Sequence, residues 1–450
     1  MSFIRLAAAC LFLASGLLSF VSTAAAQPVS FKQKIAPILV DNCLACHGPK
    51  KAEGGYRVDT YERAMAAGES TLHGFAAKSV EGSESFRRVT STDKDDRMPL
   101  EGDPLPPDQI ATLKQWIEEG AAFDGSDPKA PLATIIPPPT HPDPPEAYPQ
   151  TLPITAIAFS PDGSQVIAAG YHELTIWNPA DGQLVRRIKN LSQRTYGLSF
   201  SADGKLLAAS GGAPGKLGEV RILDFATGNI VSVIGTTSDV VFDAVFSPAG
   251  DRIAVGGADG ILRVFEVATG KEQLTISSHS DWVQAAAWSP DGSKLASASR
   301  DKTAKVFDAK TGELLVTFSG HGQPVKGVAF HPDGAEVFSA GGDNKIQRWK
   351  VADAGKTAEI GFGGEVYKLP VGGGFLWATS ADKTVRQFDA KSHGAVRQYA
   401  GSPESVLCVA YHDGTKRVAA GGFKGEVRIW NAADGAAVTN FFAAPGLVKK

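Results

Sequence analysis

The run Asp41-Asn42-Cys43-Leu44-Ala45-Cys46-His47-Gly48 places two thiols and an imidazole within five residues. Two cysteines about one helical turn apart can each add to a vinyl group of a porphyrin, and the next residue then sits under the iron. Cys-x-x-Cys-His is the attachment pattern of a c-type haem. Competing chemistries fit less well. A zinc site needs a second pair of Cys or His ligands at matching spacing, and none follows. A thioredoxin-like dithiol needs a flanking strand-helix-strand pattern and gives the adjoining histidine no role. The motif therefore predicts one haem c, attached at Cys43 and Cys46, with His47 as proximal iron ligand.

Iron held in this way needs a ligand on its other face, and only Met65 and Met98 follow the first residue. Met98 lies in Asp96-Arg97-Met98-Pro99-Leu100, where Pro99 disfavours helix at Met98 and stiffens the loop. A thioether on such a loop can reach the distal face, and Met/His ligation raises the reduction potential. Met65, in Tyr61-Glu62-Arg63-Ala64-Met65-Ala66, has helical packing as its plainer role; His73, in Thr71-Leu72-His73-Gly74, is the rival ligand. The elements that must position these groups are helices. Phe31, Ile35, Ile38 and Leu39 recur at helical spacing and lead into the thiols. Pro106-Pro107-Asp108 opens a last helix, Ile110, Leu113, Trp116 and Ile117 line one face of it, and Gly120 ends it.

The chain of 450 residues is long enough for two or three domains. Its 43% hydrophobic and 21% charged content is that of globular protein, and a net charge of -3 argues against a general nucleic-acid binder. Arg5, the apolar run Leu6 to Val21, and Ala24-Ala25-Ala26 predict a signal peptide over 1–26, cleavage before Gln27 and a periplasmic destination. The run is short for a membrane span. Export suits c-type haem, which is attached outside the cytoplasm. Beyond that segment, Cys408 is the one further cysteine, so a disulfide framework is excluded; its apolar setting, Val406-Leu407-Cys408-Val409-Ala410, predicts a buried thiol.

Phe31 to Gly48, Gly82-Ser83-Glu84-Ser85, Met98-Pro99 and Leu113 to Ala121 resemble the planctomycete-type cytochrome c domains. Those are mono-haem class I-like cytochromes in which an MP motif supplies the distal ligand. The resemblance implies a small all-α domain over 27–125, covalent attachment at Cys43 and Cys46, proximal His47 and distal Met98.

Residues 126–150 are proline-rich and predict an extended, semi-rigid linker, with Ile135-Ile136 as a candidate edge strand. A repeat array then fills 151–450. Phe159-Ser160-Pro161-Asp162-Gly163 recurs at Phe200, Phe246, Trp288 and Phe330, then in degenerate form near Gly372-Gly373-Gly374 and at Tyr411-His412-Asp413-Gly414. The interval is about 41 residues, within the WD-repeat range. Each unit has four short β runs, in the first Ile154–Phe159, Gln165–Ala169, Leu174–Trp177 and Leu184–Ile188. Third strands end in Trp177, Leu223, Phe265, Phe307, Trp349, Phe388 and Trp430, large residues that pack between blades. The array resembles the WD-repeat β-propeller family, which implies an all-β seven-bladed propeller. Gly320-His321, Asp343 and Trp349 match that family's structural His, Asp and Trp; most other units lack the Gly-His pair. Every unit starts and ends in register, which predicts no strand exchange between first and last blades, and Gly211 to Gly218 reads as an inserted loop.

The expected protein is an exported mono-haem cytochrome that carries single electrons, with a propeller that docks a partner protein or orients the haem. Residues 27–128 hold twelve Lys and Arg against seventeen Asp and Glu, which suits a redox partner with a basic patch. Two alternatives stand beside it. One is a haem-containing oxidoreductase with its active site in the propeller, by analogy with haem-d-type nitrite reductases, although those have eight blades and a second cofactor. The other is a haem sensor or binding scaffold.

Overall fold

The computed structural model describes residues 28–49, 51–100, 102–137 and 140–447, so the expected signal segment lies outside the described residues. The chain divides into two compact units, Met1–Pro138 and Pro139–Lys450.

In the first unit Ser30 caps a π-helical turn, Phe31–Ile35, by accepting the Gln33 N–H, and the chain continues as α1, Ala36–Asn42. Short helices α2 (Tyr61–Met65) and α3 (Glu84–Val89) follow, then α4 (Pro107–Glu118) and α5 (Leu132–Ile135). Pro107 starts α4, where its missing N–H costs nothing, and Gly120 turns the chain out of it at φ +111°. The apolar spacing read from both ends is what the core uses: Phe31, Ile35, Leu39, Leu113, Trp116 and Ile117 are all essentially inaccessible. The Phe31 ring lies 5.5 Å from Trp116 and meets Tyr61 edge-on at 5.1 Å. Each such side chain contributes roughly 1.5–3 kcal/mol by leaving water.

The proline-rich stretch differs from a free spacer. Its first half folds onto the helical unit: Leu132 is buried in that core, and its N–H donates to Asp59 O at 2.9 Å. Ile135 ends a helical turn rather than joining a strand, because Leu132 and Ile135 at i, i+3 share one apolar face and the described residues of this unit form no sheet to pair with. Residues 141–148 lie along the second unit. The His141 N–H donates to Asn190 Oδ1 at 2.8 Å, Arg187 donates to the carbonyls of Pro145 and Glu146, and the Tyr148 hydroxyl donates to Glu173 Oε1 at 2.6 Å. Prolines offer carbonyls but no N–H, so an arginine is enough to satisfy this backbone.

The second unit is a seven-bladed propeller of four-stranded antiparallel sheets. Blades one and two form one seven-stranded sheet, because the 17-residue strand Leu184–Phe200 is the outer strand of one and the inner strand of the next. The Asp-Gly turns are built alike: Ser160 Oγ donates to Asp162 Oδ1 at 2.6 Å, Gly163 sits at φ +70°, and its N–H returns to Ser160 O at 2.8 Å. The residues that end the third strands are buried in all seven blades. Closure uses no shared strand, since every strand of blade seven comes from Val406–Phe442; the Ile154 N–H donates to Gly422 O at 3.2 Å and side chains pack across the seam. Ile154, Ile157 and Trp177 of blade one share a cluster with Cys408, Val427 and Ile429 of blade seven, and His412 Nε2 lies 3.1 Å from Pro161 O. Gly211–Gly218 is not a projecting loop: Gly211 pairs with Glu219 and Gly212 with Gly218, so the insertion lengthens a hairpin that turns at 214–216.

Candidate functional site

Helix α1 delivers the thiols. Cys43 donates its N–H to Leu39 O at 3.0 Å, and the His47 N–H bonds Cys43 O at 2.9 Å, so one further turn carries the three groups. Cys43 is half-buried against the core and Cys46 is exposed. Burial, aided by the nearby Cys46, pushes the Cys43 thiol up to about 12.

Cys43, His47 and Met98 line one cavity of 400 Å³, whose walls are mostly apolar, with Leu39, Val58, Phe75 and Leu113 among them. His47 Nδ1 lies 3.4 Å from Tyr56 O. A carbonyl only accepts, so this contact places the proton on Nδ1 and leaves the Nε2 lone pair for a ligand. Tyr56 is itself held: its hydroxyl donates to Ala64 O at 2.7 Å and accepts from Ser85 Oγ at 3.1 Å, and its ring meets His47 edge-on at 5.5 Å. Burial pushes the phenol pKa well above its ordinary range. Gly74 is required beside it, because a Cβ there would fall 2.0 Å from Tyr56 Oη and 2.5 Å from Ala64 O.

Met98 is placed by an ionic clamp. Arg87 donates to both oxygens of Asp96 at 2.6 and 2.9 Å and to both oxygens of Glu84 at 2.8 and 2.9 Å, while Arg88 Nε donates to Glu84 Oε1 at 2.8 Å. Hydrogen bonds from Arg87 hold Glu84 and Asp96 each at about 2. The loop is thereby tied to α3, and the Met98 N–H bonds Arg88 O at 3.1 Å. His73 is exposed, with Nδ1 3.2 Å from Met65 O, and is absent from the cavity wall. Met65 packs against the core.

An imidazole with a free lone pair, a thioether and a half-buried thiol around an apolar cavity of this size suit a flat apolar macrocycle with two axial ligands. Tyr56, Gly74 and the Arg87–Asp96 clamp are not visible as site residues in the sequence. Tyr56 acts on His47 through a backbone carbonyl, which every residue has, and Gly74 acts by lacking an atom.

Two propeller histidines, His279 and His321, are held by hydrogen bonds inside their blades. In blade five His321 Nδ1 meets Asp343 Oδ2 at 2.8 Å, His321 Nε2 meets Ser339 Oγ at 2.8 Å, and Trp349 Nε1 donates to the same hydroxyl at 3.0 Å. Blade four repeats this with His279, Asp301 and Ser297, but Phe307 stands where Trp would be. Among the described residues no group of three His, Cys, Asp or Glu could hold a metal ion.

Residues 43–102 match the family model described as planctomycete cytochrome C. Five segments, 147–178, 228–266, 270–308, 312–350 and 395–431, match the WD domain, G-beta repeat. No curated protein matches the chain. Blades two and six account for the gaps: one contains the lengthened hairpin, the other the degenerate Gly372-Gly373-Gly374 turn.

Proposed function

Since the chain joins a planctomycete cytochrome C domain to a WD-repeat propeller, a haem-related protein with a protein-interaction module, we propose that it is an exported mono-haem carrier of single electrons. Haem c, when bound, supplies the one-electron couple of its iron. The Cys43 and Cys46 thiols would hold the porphyrin covalently, His47 Nε2 and the Met98 thioether would hold its iron, and the apolar walls would exclude water. The observation that carries this reading is that Cys43, His47 and Met98 line the same cavity while His73 does not. Thioether ligation in a dry cavity favours the reduced state. The composition of residues 1–26 supports export to the periplasm, and the acidic balance of 27–128 supports a redox partner with a basic patch docked by the propeller. An optical redox titration of the full chain from periplasm tests it. The expected result is one reversible one-electron transition with a c-type band; a second chromophore, or none, would contradict it.

A further inference from the structure

The inner strand of the blades carries a repeated irregularity. Register slips by one residue between Thr195 and Gly197, Val241 and Asp243, Val283 and Ala285, Val325 and Gly327, and Val406 and Cys408. Ala156 and Lys368 hold the matching place in blades one and six, where Ala169 N–H bonds Ala156 O at 3.0 Å and Thr379 N–H bonds Lys368 O at 3.3 Å. Space there is short. A Cβ on Gly197 would fall 2.5 Å from Ser210 Oγ, and one on Gly327 3.1 Å from Leu369 Cβ. Small side chains therefore occupy five of the seven places: Ala156, Gly197, Ala285, Gly327 and Cys408.

The other two carry opposite charges. Asp243 stands in blade three and Lys368 at the entry to blade six, three blades further round the ring. Both line a cavity of 770 Å³ enclosed by the inner strands. Asp243 spends one carboxylate oxygen on the Ala286 N–H at 3.2 Å, which leaves acceptor capacity on the other. Among the described residues neither charge has an ion-pair partner. Two half-buried charges of opposite sign on one cavity wall offer complementary contacts to a ligand that carries both signs.

We propose that this channel binds a small zwitterion of the amino-acid class, with its carboxylate on Lys368, its ammonium on the free oxygen of Asp243 and an apolar side chain against walls such as Val245 and Leu369. The cavity falls in the range of about 300–1,000 Å³ typical of small-ligand sites. The site lies wholly within the propeller and stands or falls independently of the haem reading. Calorimetric titration of the full chain with L-leucine and glycyl-L-leucine tests it, against N-acetyl-L-leucine and L-leucinamide, each of which lacks one charge. Saturable binding of at least one zwitterion is expected, weakened tenfold or more by either blocking group and by Lys368→Met or Asp243→Asn. Absence of binding by both zwitterions, equal binding of the blocked analogues, or undiminished affinity in both folded variants would overturn it. If a variant does not fold, the analogue comparison on the unaltered chain decides.

Discussion

Gly74→Ala examines the support beneath His47, which Tyr56 contacts through its carbonyl and its ring. The new Cβ would lie 2.0 Å from Tyr56 Oη, 2.4 Å from Tyr56 Cζ and 2.5 Å from Ala64 O. Neither neighbour gives way easily: the phenol is buried between two hydrogen bonds, and Ala64 O belongs to helix α2. Overpacking of this kind costs about 1–3 kcal/mol. Loss of the Tyr56–Ala64 hydrogen bond adds about 1 kcal/mol. A total of about 2–4 kcal/mol corresponds to a fall of roughly 8–30 °C in the Tm of a domain near 100 residues. Gly54→Ala is the control: its Cβ meets nothing within 4 Å, and only its φ of +61° resists substitution. That costs about 1–2 kcal/mol. Thermal unfolding followed by near-ultraviolet circular dichroism reads both variants. Equal losses in the two, or a Gly74→Ala transition within about 2 °C of the parent, would refute the packing argument.

Met98→Ala should admit carbon monoxide rapidly to the reduced protein, whereas His73→Ala should leave its binding as slow as in the parent; the reverse pattern would move the distal ligand to His73. Trp349→Phe removes the indole donor to Ser339 while keeping a ring against Phe318, stacked at 5.0 Å. The loss of about 1–2 kcal/mol should lower the propeller transition by roughly 2–6 °C in calorimetry, and no change would show the bond to be idle. Asp301 is held at about 2, because hydrogen bonds from Thr303 and His279 outweigh its desolvation, against an ordinary 3.8. A depressed carboxyl stabilises the fold above the unfolded value and loses that contribution as pH falls through the folded one. Asp301→Asn should therefore be less stable at neutral pH but flatten the fall in Tm between pH 4 and 2; an unchanged slope would show that Asp301 is not the group responsible.

Much of this architecture is written locally. The thiol-thiol-imidazole triplet is contiguous because its chemistry demands it, and helical spacing at Phe31, Ile35 and Leu39 matches the face that becomes buried. The blades announce themselves through Asp-Gly turns, since positive φ at positions such as Gly163 and Gly204 selects for glycine. What stayed hidden is tertiary. The Tyr56 carbonyl is aimed at His47 by distant hydrogen bonds, and the clamp on the Met98 loop pairs residues nine apart through side chains that could equally have been solvated. Proline content at 126–150 suggests extension, but not that Leu132 would find a core or that Tyr148 would find Glu173. Closure of the ring likewise rests on contacts between residues more than 250 apart, such as the Cys408 thiol with the Ile154 carbonyl inside a shared apolar cluster, which carry no sequence pattern. The opposed charges of Asp243 and Lys368 become visible only once register aligns the blades.

The most direct test is mass spectrometry of the purified chain, after expression with export to the periplasm, denaturation and treatment with a thiol alkylator. The account predicts a coloured chain in which Cys408 is alkylated while Cys43 and Cys46 are shielded on one peptide bearing a single porphyrin. A colourless chain with Cys43, Cys46 and Cys408 all alkylated would contradict it.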